Sequence, residues 1–237
     1  PTPGKHLNLA LDIDIQKKLE NLLDKYLKKK EKSKAAAVAM DPATGKIRGL
    51  VSLPSFNNNN FSAGISNEKY QSYLNNPDRP LFNRAVAGEY PPGSTIKPFI
   101  AAAALEENIV DKSTTINSTG GIEVGKWFFP DWQASGHGIT NVTKAIARSV
   151  NTYFYYISGG YEDFEGMGLE VINKYLTKFN LNQKIGIDLP SESSGFLPTK
   201  EWKQKNKGTQ WYIGDTYNLS IGQGNLLSTP LQITNSI

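Results

Sequence analysis

Tyr90-Pro-Pro-Gly93 constrains this chain more than any other segment, because it cannot continue a helix and stands directly before one. Residues 99–105 are apolar and alanine-rich, which predicts a helix whose first turn lies near Ser94. Pro98 suits that first turn, where backbone N–H groups have no intrahelical partner to lose. Ser94 and Lys97 therefore sit at a helix start, and residues three apart are neighbours on a helix surface. A serine hydroxyl is a weak nucleophile until a base takes its proton, and a desolvated lysine can be that base. The helix N-terminus adds a positive field where an oxyanion would form. Taken alone, Ser-x-x-Lys is also ordinary helix chemistry, a capping serine with an exposed lysine one turn on.

Composition narrows the alternatives. At 237 residues the chain can bury a large core, as one big domain or a domain with a subdomain. It has no cysteine, which excludes a thiol nucleophile, a disulfide and a thiolate metal site. No stretch approaches the apolar length of a membrane span, and the first residues lack the pattern of a signal peptide. The net charge of +4 is small, and much of the lysine lies between Lys17 and Lys34. There Ile15, Leu19, Leu22, Leu23, Tyr26 and Leu27 recur at helical spacing, so the lysines read as the solvated face of an amphipathic helix. No nucleic-acid motif accompanies them, and nucleic acid is not expected as a partner.

Residues 7–15 alternate apolar and polar side chains, which predicts an entering strand before that helix. Residues 35–40 and 47–53 read as two strands joined by a tight turn at Asp41-Pro-Ala-Thr-Gly45. Residues 57–60 read as loop, and 113–125 as a Gly/Ser/Thr-rich passage. Residues 140–148, capped by Thr140 or Asn141, and 151–157 predict two helices with Ser149-Val150-Asn151 at their junction. Residues 167–179 predict a further amphipathic helix. Two strands before a mainly helical middle suggest a mixed sheet that lacks its remaining strands.

Pro92-Gly-Ser-Thr-Ile-Lys-Pro98, Ser149-Val-Asn151, Gly186-Ile-Asp-Leu-Pro190 and Ser220-Ile-Gly-Gln-Gly224 occur in the order seen in class B penicillin-binding proteins. Together with the Met40-Asp-Pro-Ala-Thr-Gly45 turn, they make nearly the whole chain resemble that family's transpeptidase domain, most closely its elongation-type, rod-shape subgroup, with the division-type enzymes a near alternative. The resemblance implies an α/β (α+β) fold like that of the serine β-lactamases, with an incomplete sheet and a helical subdomain. It implies acyl transfer on peptidoglycan stem peptides ending in D-Ala-D-Ala, with no cofactor. Ser94 would be the nucleophile and Lys97 its base; Ser149 would relay a proton, and Asn151 would orient Lys97 and bind the substrate amide. β-Lactams would acylate Ser94. Elongation-complex proteins, a membrane glycosyltransferase among them, are the implied partners. The implied location is the extracytoplasmic face of the bacterial inner membrane, with an anchor upstream of this chain.

The sequence departs from the family pattern twice. The Lys-Thr/Ser-Gly motif is absent, since Lys207-Gly-Thr209 has the wrong order and precedes Gly222-Gln-Gly224. Residues 1–237 are therefore expected to be part of a transpeptidase domain whose C-terminal strands are missing. Some elongation-type relatives also bind zinc through two Asp, a His and a Cys; here Asp131 and His137 match, but Val150 stands at the cysteine position and Asn117 or a neighbour at the first Asp, so no metal is expected. A Ser-His-Asp hydrolase would have to rely on His137 and lacks a G-x-S-x-G elbow. A serine β-lactamase would need a deacylating base that nothing marks. The reading from another class is a non-catalytic β-lactam-sensing or scaffold module of the wall-elongation machinery.

Overall fold

The computed structural model describes residues 6–62 and 64–237, in two units. One comprises the described residues up to Glu89 with Ile185–Ser193 and Thr229–Ile237; the other comprises Tyr90–Lys184 and Ser194–Ser228.

The first unit is built on a hairpin. Helix α1 (Ile13–Lys30) precedes strands β1 (Ala35–Met40) and β2 (Ile47–Leu53), which pair antiparallel with Ala35 opposite Leu53 and Val38 opposite Leu50. The turn closes at the expected place, with Gly45 N–H donating to Asp41 O at 2.8 Å. Successive strand residues point to opposite faces, and both faces are covered. Val51 and Leu53 pack with Leu19, Leu23 and Leu27 of α1. Ala36, Val38, Met40 and Leu50 pack with Ala85 and Val86 of the short helix α3 (Arg84–Ala87), and with Leu231 of the closing helix (Pro230–Ser236). Helix α2 (Asn67–Leu74) lies between β2 and α3 in the chain.

Ile185 and Ile187 join the same core, so the Gly186–Pro190 motif is structural. Glu192 holds that segment by accepting from Ile185 N at 2.6 Å and Gly186 N at 3.1 Å.

The strand expected over residues 7–15 does not form. Asp12 caps α1 instead, accepting from Asp14 N at 2.9 Å and Ile15 N at 3.1 Å, so the helix takes the end of the alternating run. Leu7 and Leu9 are 77% and 64% exposed, and an alternating pattern without a buried face gives no strand.

In the second unit, helices α4 (Lys97–Glu106), α5 (Val142–Arg148), α6 (Asn151–Gly159), α7 (Gly168–Lys178), α8 (Lys200–Lys207) and α9 (Ile213–Ser220) carry the core. α6 is buried on almost every side through Tyr153, Phe154, Tyr155 and Ile157, and it packs on α4, α7 and α9. Its approach to α9 is close. A Cβ on Gly159 would lie 2.4 Å from the Tyr217 ring. Asn141, not Thr140, caps α5, accepting from Lys144 N at 3.0 Å.

The passage read as Gly/Ser/Thr-rich and its continuation hold four short strands that periodicity did not reveal. β3 (Ile116–Ser118) pairs with β6 (Gly138–Thr140), and β4 (Gly121–Val124) with β5 (Trp127–Pro130), all antiparallel. Three- and four-residue strands are too short for an alternation to register. Every strand pair among the described residues is antiparallel, so the mixed sheet expected from the sequence is not present in them.

Candidate active site

Ser94 lies in a 3-10 turn, Gly93–Ile96, that runs directly into α4 at Lys97. That turn is fixed from behind by the second glycine motif. Gly93 N–H donates to Gly222 O at 2.9 Å, and Tyr90 and Ser228 exchange backbone hydrogen bonds at 2.9 Å. Gly222 has φ +72°, and a Cβ there would sit 2.0 Å from Gly93 O, so no other residue fits. Ser94 is exposed, and its hydroxyl makes no hydrogen bond to a described residue.

Lys97 points the other way in solvation: it is 1% exposed. Its Nζ donates to Asn151 Oδ1 at 2.6 Å, Ser149 O at 2.7 Å and Ser149 Oγ at 3.0 Å, and it lies 5.3 Å from the centre of the Phe154 ring. Three of the four residues singled out in the sequence thus share one hydrogen-bonded cluster. The fourth, Ser94, is one turn from Lys97 along the chain.

The junction between α5 and α6 makes the cluster possible. Ser149 is the C-cap of α5, with φ 53° and ψ 45°, and its N–H donates to Ile146 O at 3.2 Å. Few residues other than glycine adopt this left-handed conformation, and it lets the carbonyl and hydroxyl of Ser149 converge on one amine. Burial pushes the Lys97 amine down from 10.5 to about 8, while the negative charge of Asp131 works against that shift.

Asp131, which the sequence offered only as a match to a zinc position and not as a site residue, belongs to this cluster's support. Its buried carboxylate accepts from Trp132 N at 2.8 Å, Asn151 N at 3.2 Å, Thr152 N at 2.9 Å and Thr152 Oγ1 at 2.8 Å. Burial raises its pKa, but the bonds from Thr152, Asn151 and Trp132 outweigh that and hold it below the ordinary carboxylate value. Asp131 therefore anchors the first turn of α6 as a negative charge at a helix N-terminus. A lone Asp after a Pro-ending aromatic run was the only available signal, and nothing in its spacing linked it to Asn151.

The positions that the resemblance associates with zinc hold side chains of another kind or otherwise engaged. Val150 is fully buried and apolar, Asn117 is exposed on β3, and Asp131 is already taken up by N–H and O–H donors. Among the described residues no group of three or more His, Cys, Asp or Glu side chains could hold an ion. His137 donates its backbone N–H to Ser118 O at 3.0 Å and packs its ring 5.1 Å from that of Trp132. Its Nε2 lies 3.5 Å from Asp131 Oδ1 and makes no hydrogen bond, so it is not paired with Ser94 as a hydrolase base would be.

Comparison with known proteins agrees with this geometry. Residues 35–237 match the family model for the penicillin binding protein transpeptidase domain. The chain belongs to that family. It is 43% identical over 235 residues to the peptidoglycan D,D-transpeptidase MrdA of Acinetobacter baumannii, covering 98% of this chain and 33% of that protein. Among solved structures, Pseudomonas aeruginosa PBP2 in complex with WCK 5153 matches with a TM-score of 0.87 and 34% identity, over all of this chain and 51% of that one. Helicobacter pylori PBP2 in complex with MreC matches with a TM-score of 0.83 and 37% identity, over 96% of this chain and 41% of that one. The fold is thus the α/β penicillin-binding transpeptidase fold. The chain spans about a third of the length of the curated relative and about half or less of the solved chains.

Proposed function

We propose that this chain carries the acyl-transfer centre of a peptidoglycan D,D-transpeptidase of the elongation type. The observation that carries the reading is Lys97: a buried amine held by Ser149 and Asn151, one turn along the chain from an exposed serine. Ser94 Oγ attacks the carbonyl of the penultimate D-Ala of a stem peptide, and its proton passes to neutral Lys97 Nζ. The Ser94 N–H, at the start of the helix, donates to the developing oxyanion. As the C–N bond breaks, the proton moves from Lys97 through Ser149 Oγ to the departing D-Ala amine. The amine of a neighbouring stem peptide then attacks the Ser94 ester and gives a proton to Lys97; the bond between the carbonyl carbon and Ser94 Oγ breaks, Lys97 passes the proton to Ser94 Oγ, and a cross-link is left. Asn151 keeps Lys97 in place and offers its amide to the substrate.

A β-lactam presents the same carbonyl in a ring, so its leaving group stays attached and Ser94 remains acylated. Peptidoglycan lies outside the cytoplasmic membrane, which puts this chain on the extracytoplasmic side; no described helix is long and apolar enough to cross a membrane. The complex of the similar Helicobacter pylori protein with MreC supports elongation-complex proteins as partners.

The test is peptide mapping after incubation with benzylpenicillin. The expected result is one penicilloyl adduct on the peptide containing Ser94, lost in Ser94→Ala. No adduct on a folded protein would overturn the reading and leave a scaffold module.

A further inference from the structure

The region beside Asn151 holds a groove that the acyl-transfer chemistry does not use. A cavity of about 360 Å³ reaches Asn151 and adjoins a second of about 690 Å³, with Phe129 and Asn218 lining both. The second extends to Trp127 and Tyr212, so one track leads from the candidate active site along β5 to the start of α9.

Its walls are aromatic and open. Trp127, Phe128 and Tyr212 are 65%, 58% and 53% exposed, a clustering that marks a binding surface and not isolated surface residues. Two of the polar groups on the track are uncommitted amides. The side chains of Asn218 and Gln223 make no hydrogen bond to a described residue. Both acidic groups on the track are committed: Asp215 is paired with Lys203 and accepts from Tyr212 N at 2.7 Å, and Asp131 accepts from Trp132, Asn151 and Thr152. Among the described residues that line the second cavity, Lys126 is the one cation, 5.5 Å from the centre of the Trp127 ring. Between Asn151 and Trp127 the only charged side chains lining the track among the described residues are therefore Lys126 and the buried, fully hydrogen-bonded Asp131, of opposite sign.

We propose that this groove holds the N-acetylated sugar strand to which the donor stem peptide is attached. The inference rests on the transpeptidase reading above and names where the rest of that substrate lies. Flat aromatic faces suit the C–H faces of pyranose rings, and free carboxamides suit hydroxyl and acetamido groups. An extended peptide is the poorer fit. Adding a strand to β5 needs a free row of backbone groups. Pro130 has no N–H, and its carbonyl already accepts from Tyr155 Oη at 3.1 Å and Asn151 Nδ2 at 3.4 Å.

The experiment uses the full-length protein and two probes: benzylpenicillin, and glycan oligomers stripped of their peptides by an amidase. Penicilloylation of the wild-type protein tests the transpeptidase reading by itself. Binding of the stripped oligomers is measured by fluorescence or calorimetry, for wild type, Trp127→Ala and Asn218→Ala. The wild type should bind, and Trp127→Ala should bind roughly tenfold more weakly, as expected for loss of one stacking platform. Asn218→Ala, a small change at a half-buried position, should weaken binding about threefold to fivefold, the share of one or two lost hydrogen bonds. Thermal melts identify a variant that has lost its fold, and the other then decides. A penicilloylated wild type that ignores the oligomers, or binds them as tightly after either substitution, overturns this inference and leaves the transpeptidase reading intact. A wild type that is not penicilloylated removes the reading on which both stand.

Discussion

A lysine stripped of water releases its proton more readily than one in solution, and Lys97 is in that position. Its folded pKa of about 8 lies below the ordinary 10.5, so the unfolded chain keeps a proton there that the folded chain has lost. Stability from this group therefore rises with pH between about 8 and 10.5. Urea titrations at both ends of that window should show the wild type gaining on Lys97→Met as pH increases. Asp131 acts on the same amine from the opposite direction. Its charge holds the Lys97 pKa up, so Asp131→Asn should move the midpoint of the acylation profile to lower pH. It should also lower the plateau rate by roughly 10–100-fold, because the N–H groups of Asn151 and Thr152 lose a charged acceptor and Asn151 shifts. A purely structural role for Asp131 would reduce the amount of folded protein without moving the midpoint.

At the scale of elements, stability rests on polar anchors within packed units. Arg84 is buried at the start of α3, and its guanidinium donates to the carbonyls of Asp78, Arg79 and Phe82. Arg84→Ala leaves those carbonyls without a donor and should reduce stability by about 2–4 kcal/mol in a denaturant titration. Gly222→Ala tests the turn that carries Ser94. Both its φ of +72° and the 2.0 Å approach to Gly93 O forbid a Cβ, so penicillin labelling should fall at least tenfold, with the loop displaced. A labelling rate equal to wild type would show that the Gly93–Gly222 contact does not position the serine.

These same elements show what was legible in the sequence. The hairpin turn, the amphipathic helix before it and the Ser149–Asn151 junction each carried a local signal of Pro, Gly, capping residue or period. Residues 7–11 carried a strand's alternation without a partner, and Asp12 converted its end to a helix cap. β3 to β6 were too short to show a period.

Across the whole molecule, each unit is assembled from distant pieces of chain. Ile185–Ser193 and Thr229–Ile237 return to the unit that begins with the hairpin, and Ser194–Ser228 returns to the unit that holds Ser94. Such returns are decided by burial and not by local pattern, so the motif at Gly186–Pro190 was visible while its packing with the hairpin was not. Of the candidate site, Ser94 and Lys97 were legible from their spacing at a helix start, whereas Ser149 and Asn151 were named by the family resemblance. The link through Asp131 was invisible because it depends on a backbone N–H at Asn151, which no side-chain pattern encodes.

The measurement that tests the account most directly is the second-order rate of Ser94 acylation by benzylpenicillin, followed from about pH 6 to about pH 10. A neutral Lys97 acting as base predicts a rate that climbs with a single midpoint near the amine's pKa of about 8 and then levels off. A rate that stays flat or falls across that range would contradict the assignment of Lys97 as the base for Ser94.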